Sequence, residues 1–258
     1  MFIDSHCHLS FPELKARLPQ ILAEMSQAQV EQAICICTTM EEFPEVHGLA
    51  LAHPQLWASV GVHPDNEDVH EPTVEELVQA AQGEKIVAIG ETGLDYYRLN
   101  GRSMADMEWQ RERFRSHIRA AKRVAKPLVI HTRSSAADTL RVLDEEGGEQ
   151  AGGVFHCFTE TVEIALAAIE RGFYVSFSGI LSFRNAQDLR DVAAALPLER
   201  LLIETDSPYL APVPHRGRTN SPAYVPHVAT ALAQVKGVSV EELAAQTTAN
   251  CRRLFGLS

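Results

Sequence analysis

Two rhythms of apolar residues alternate along the chain. Short, nearly continuous apolar runs occur at 2–6 (FIDSH), 32–38 (QAICICT), 56–63 (LWASVGVH), 85–91 (KIVAIGE), 127–132 (PLVIHT), 153–158 (GVFHCF), 173–179 (FYVSFSG) and 201–206 (LLIETD). Between them lie segments with apolar residues at three-and-four spacing, such as TVEELVQAAQ, WQRERFRSHIRAAKRVA, SAADTLRVLDEE and TVEIALAAIERG, which predict amphipathic helices. Strands that are apolar on both faces suit a parallel sheet covered on both sides. Repeated about eight times, this alternation predicts a (β/α)8 TIM-type barrel. A doubly wound open sheet would carry a glycine-rich phosphate loop after its first strand, and SHCHLSF is not glycine-rich. With no repeat or linker in view, residues 1–258 read as a single domain. The proline-rich stretch 208–227 reads as a loop over the barrel mouth, followed by a C-terminal pair of helices.

Composition narrows the setting. A hydrophobic fraction of 45% and a charged fraction of 22% are ordinary for a globular protein. No apolar stretch approaches the roughly 20 residues of a membrane span. The N-terminus lacks the basic region and long apolar run of a signal peptide, being interrupted by Asp4 and His6, so cytoplasmic residence is expected. Five cysteines, an odd number, predict reduced thiols. Cys35 and Cys37 read as strand residues, because no second pair at matching spacing completes a zinc site. A net charge of -11 disfavours bulk attraction to long nucleic acid or an anionic membrane, yet leaves room for a local cationic site. Nothing in the sequence points to an obligate protein partner.

In a barrel of this type the chemistry sits at the carboxyl ends of the strands. The first run ends in His6 and His8, which project side by side because residues two apart in a strand share a face. The fourth ends in Glu91, the fifth in His131, the sixth in His156, and the eighth in Glu204 and Asp206. Each alone has an ordinary explanation, a hydrogen-bonded core histidine or a capping carboxylate. Their coincidence at five strand ends predicts a metal centre. The donors outnumber the ligands of one tetrahedral ion, which implies two cations bridged by a carboxylate, with Glu91 the natural bridge. Nitrogen and oxygen donors without thiolate favour zinc, manganese or magnesium.

The motifs FIDSHCHL, GVHP, GETGLDYY, PLVIHTR, VFHCF and LLIETDSPYL, in this order, resemble the TatD family of metal-dependent hydrolases from residue 2 to about 254. The resemblance implies a barrel related to the amidohydrolases and cleavage of phosphodiester bonds in DNA. It also implies metal positions at His6, His8, Glu91, His131, His156 and Asp206.

Two cations would lower the pKa of a bridging water and neutralise charge on a phosphoryl oxygen during in-line attack. Asp206 is expected to be both ligand and proton acceptor, with Glu204 as a helper or as the base in its place. His63, in GVHP, is expected to face substrate. Arg98, Arg133, Arg216 and Arg218 are the cations near the expected mouth, enough to hold a few phosphates of a DNA end or a small phosphodiester. Tyr96 and Tyr97 are candidates to stack on a base or to be packed in the core. A lactone, ester or amide hydrolase on the same scaffold is the alternative, since fold does not fix chemistry; a metal-binding protein without turnover is a third reading.

Overall fold

The apolar runs become eight parallel strands hydrogen-bonded in sequence order: β1 (Phe2–Cys7), β2 (Val30–Cys35), β3 (Leu56–Val60), β4 (Ile86–Asp95), β5 (Leu128–Arg133), β6 (Gly153–Phe155), β7 (Tyr174–Phe177) and β8 (Leu201–Ile203). The computed structural model describes residues 1–258. Helices cover the outside of the sheet: α1 (Pro12–Lys15), α2 (Leu18–Gln27), α3 (Phe43–Ala52), α4 (Val74–Ala81), α5 (Glu108–Val124), α6 (Ala136–Glu146), α7 (Val162–Glu170), α8 (Gln187–Ala195), α9 (Val225–Lys236) and α10 (Val240–Phe255). The predicted amphipathic segments fall on α4 to α7. α4 starts at Thr73, whose hydroxyl accepts from the Glu76 N–H while the Glu76 carboxylate accepts from the Thr73 N–H, a reciprocal cap.

The barrel nearly closes. The segment just past β8 bridges β1 at Cys7 and Ser207, with bonds at the mouth from His8 N–H to Ser207 O and from Asp206 N–H to His6 O, each 2.9 Å. Below these, Asp4 stitches the seam by accepting from the Thr205 N–H at 2.8 Å and the Thr205 hydroxyl at 2.6 Å. At the opposite end α10 packs across the seam. Its Asn250 amide donates to Leu198 O and Leu201 O, and its Cys251 and Phe255 pack with Ile3, Val129, Val154 and Leu202. Side chains two apart on a strand share a face. Val129, Val154 and Leu202 therefore fill the interior, and His131, His156 and Glu204 follow them on the same side, one layer nearer the mouth.

Strand ends differ from the sequence expectation in an instructive way. β2, β3, β6, β7 and β8 stop before the apolar runs do, so His63, His156, Glu204 and Asp206 stand on the loops just past the ladder. β4 instead runs on past Glu91 to Asp95, paired with β5 through Gly93–His131 and Asp95–Arg133. Gly93 makes that extension possible: its φ is +129°, and a Cβ there would lie 2.0 Å from the His131 carbonyl oxygen.

α5 anchors the loop that carries His63. The buried Arg113 guanidinium donates to His63 O at 2.7 Å and to Asn66 O at 2.8 Å, and one turn later His117 Nε2 accepts from the Val62 N–H at 3.0 Å. His117 Nδ1–H donates to Arg113 O, so the ring is neutral, and burial pushes its pKa down to about 4. Because the folded value lies below the unfolded one of 6.5, the unfolded chain takes up the proton first as pH falls. Stability from this residue is complete above pH 6.5 and is lost progressively down to about pH 4, a total of roughly 3 kcal/mol. Urea denaturation of the chelator-treated protein across this range should show that loss, and His117→Gln should flatten it. An unchanged slope in the variant would contradict the assignment.

Candidate metal centre

Glu91 is buried in β4 at the middle of the mouth, and its two oxygens serve two different groups of donors. Oε2 lies 3.4 Å from His6 Nε2 and 4.0 Å from His8 Nε2. Asp206 Oδ1 joins the same nest at 3.6 Å from His6 Nε2 and 3.3 Å from His8 Nε2, and the two imidazole nitrogens are 3.2 Å apart. Oε1 lies 2.8 Å from His156 Nε2, 3.2 Å from His131 Nδ1 and 3.3 Å from His63 Nε2. The structure thus brings together all the side chains singled out at strand ends except Glu204, which stands one layer behind.

Hydrogen bonds at the far ring nitrogens assign the tautomers. His131 Nε2 is 2.9 Å from Asp95 Oδ2, and His156 Nδ1 is 3.2 Å from Glu204 Oε1. A carboxylate accepts only, so each of these nitrogens carries a proton, and with a cation beside Glu91 the opposite nitrogen would turn its lone pair to that ion. Such carboxylate-oriented histidines are the usual form of metal ligands. His63 differs. Its Nδ1 accepts from the Asp65 N–H at 3.0 Å, so in the neutral ring the proton sits on Nε2, aimed at the centre. His63 stands within the nest of donors but presents a hydrogen rather than a lone pair.

These contacts fit a bound cation. Several lone pairs converge at 3 to 4 Å in a buried space, where they would otherwise repel one another. His6 and His156 stack at 3.8 Å between centroids, an arrangement hostile to two imidazolium charges. Burial alone would raise the Glu91 carboxyl, but the imidazoles of His156, His63 and His6 around it and a hydrogen bond from His131 hold it well below the usual carboxylate range. For Asp206 too, burial acts upward and is outweighed by His8, His6 and His156, so its carboxyl stays ionised. Asp206 has φ +55°, a left-handed turn that points it back over the mouth.

Asp95 had not been singled out from the sequence, although it holds His131 and also accepts from the Tyr97 N–H at 2.8 Å. The signal lay in GETGLDYY: positions 91, 93 and 95 share one face if the strand continues. Glu204, fully buried, accepts from the Cys157 N–H at 2.9 Å as well as holding His156. It stands behind His156 and does not line the cavity over the centre.

The centre forms the floor of a cavity of about 700 Å³, a size usual for small-molecule sites. Arg98 and Arg133 line it. Arg133, the last residue of β5 rather than a loop residue, lies over the Tyr97 ring at 3.6 Å, and Arg98 is exposed, with Asp65 3.9 Å away. Arg216 and Arg218 do not line it. Arg216 is drawn off by Phe183, over whose ring it packs at 3.6 Å, and by Ala211 O, which accepts from it at 2.9 Å. The tyrosines divide: Tyr96 is buried, donating to Asp138 and accepting from Arg111, whereas Tyr97 is exposed. All five cysteines are free thiols, and no helix is long and apolar enough to cross a membrane.

A parallel barrel with imidazole and carboxylate donors gathered at its carboxyl end defines a metal-dependent hydrolase. Comparison with known proteins makes this specific. The chain belongs to the TatD related DNase family, whose model matches residues 3–256. It is 46% identical over 257 residues, covering 98% of this chain and 95% of the relative, to the uncharacterized metal-dependent hydrolase YcfH of Escherichia coli K12. It is 34% identical over 245 residues to the 3'-5' ssDNA/RNA exonuclease TatD of Citrobacter rodentium, covering 93% and 92%. The crystal structure of YjjV, a TatD homologue from E. coli K12, superposes with a TM-score of 0.92 at 30% identity, covering 100% of this chain and 98% of that one.

Proposed function

We propose that the chain is a dinuclear phosphodiesterase that removes nucleotides from the ends of single-stranded or short DNA. The observation that carries this reading is the division of Glu91, whose Oε2 faces His6, His8 and Asp206 while Oε1 faces His131 and His156. One cation would take the first group and a second the other, with zinc, manganese or magnesium suited to these donors. Two such ions supply a water of lowered pKa and a counter-charge for a phosphoryl oxygen. The ionised Asp206 carboxylate, at the edge of the first group, accepts the proton of the attacking water. His63 Nε2–H is placed to donate to an oxygen of the phosphodiester, and Asp95 and Glu204 keep His131 and His156 in register. Arg133, held flat by Tyr97, and the exposed Arg98 beyond it bind phosphates on one side of the scissile bond, that of His131. The exonuclease named among the relatives supports the substrate class. In this reading residues 1–258 act as one catalytic domain in the cytoplasm, without an obligate protein partner.

The net charge of -11 offers no broad basic track for duplex DNA. Two arginine contacts to a single strand correspond to a log–log salt slope of about -1.4. An assay mixing end-labelled single strands with closed circular duplex, and including a lactone and an amide, should show cleavage from the single-strand ends with that shallow slope. Efficient nicking of the circle with steep salt inhibition would contradict the end preference, and turnover of the lactone or amide alone would contradict the phosphodiesterase reading.

A further inference from the structure

The cavity is chemically lopsided. On the side of His131 its rim carries the cations, Arg133 over Tyr97 and Arg98 beyond it. On the side of His8 it carries two aromatic rings and no cation: Phe11 stacks on the His8 imidazole at 4.7 Å and 20°, and Tyr209 meets Phe11 edge-on at 6.3 Å and 77°. Tyr209 is 54% exposed, unusual for a large aromatic residue beside a buried polar centre. The two rings stand nearly at right angles, making a corner open to the cavity. The corner offers a phosphate no cationic partner, whereas two aromatic faces suit an uncharged planar group.

Resting on the phosphodiesterase reading, we infer that Phe11 and Tyr209 form the seat of the terminal nucleobase, so that the strand lies in one direction across Glu91. The terminal base stacks in the aromatic corner, the scissile phosphate sits over the two groups of donors, and the next phosphate meets Arg133. Stacking on an aromatic face accepts any base, since each has a π surface, so this seat gives end recognition with little sequence preference. It also explains why the rim has cations on one side only: a chain end has a phosphate to present toward its interior and none beyond its last base.

The test uses single-stranded oligonucleotides ending either in a normal nucleotide or in an abasic one, with the abasic residue placed at each end in turn. The metal-loaded wild-type protein should cleave the base-ended strand with kcat/KM about tenfold or more above the abasic-ended one, at one of the two ends. Tyr209→Ala and Phe11→Leu should bring this ratio toward one by slowing only the base-ended substrate, Tyr209→Trp should restore it, and Arg133→Ala should slow both substrates and keep the ratio. A merely structural role for Tyr209 would lower both rates together. Equal wild-type rates, or a ratio untouched in Tyr209→Ala and Phe11→Leu, would overturn this inference alone. Absence of cleavage of every oligonucleotide would overturn the phosphodiesterase reading and this inference with it.

Discussion

Asp206→Asn is expected to lower the single-turnover rate by about 10³-fold or more, on the order of 4 kcal/mol of barrier, with little change in thermal stability. The amide keeps the size of the carboxylate and the left-handed turn at φ +55°, a conformation asparagine adopts readily. It loses the anionic oxygen that faces His6 and His8, and with it the capacity to accept a proton. Glu204→Gln should cost less, about tenfold, because Glu204 acts through His156: one amide oxygen can still accept from the Cys157 N–H or from His156 Nδ1–H. Rapid-quench measurement of both variants at saturating metal decides between them. The reverse ranking would transfer the role of base to Glu204.

Glu91→Gln should be at least as damaging, and in a different way. Replacing one oxygen by an amide nitrogen, a hydrogen-bond donor, removes the ligand shared by the two groups and turns a hydrogen toward one of them. Activity should fall by about 10³-fold or more, and the bound metal should fall from two ions to at most one per chain. Metal analysis of the purified variant beside its rate checks both parts. A variant that keeps two ions and near-normal activity would remove Glu91 from the bridge.

The sequence made the barrel and the donor set legible for one physical reason. Parallel strands covered on both faces leave continuous apolar runs, and a polar side chain at the end of such a run must have a partner or a task. His6 and His8, two apart, and Glu91, His131, His156 and Asp206, each closing a run, were visible on that ground. Ladder ends were less legible, because an apolar run does not record where backbone pairing stops: His63 and Asp206 continue their runs in composition but stand on loops. Asp95 escaped for the converse reason. A strand reading that ends at Glu91 hides it, and only the close approach of Gly93 to the His131 carbonyl carries β4 two pairs further. The arginines were the least legible, since no period governs a loop. Arg133 and Arg216 look alike in sequence, each near an expected rim, yet Tyr97 holds one at the cavity while Phe183 and Ala211 O hold the other away from it. The assignment of His63 as a hydrogen donor depends on the Asp65 N–H, a backbone contact that composition cannot show.

The central claim is that Glu91 joins two cation sites that work as one, and stoichiometric reactivation tests it most directly. Protein stripped with chelator should be inactive toward a single-stranded oligonucleotide. Titrated with zinc or manganese, it should recover activity in proportion to the second equivalent and reach its plateau at two ions per chain, with calorimetry reporting the same number. Full activity at one equivalent, with no further binding at the second, would contradict the dinuclear account even with the barrel and every ligand in place.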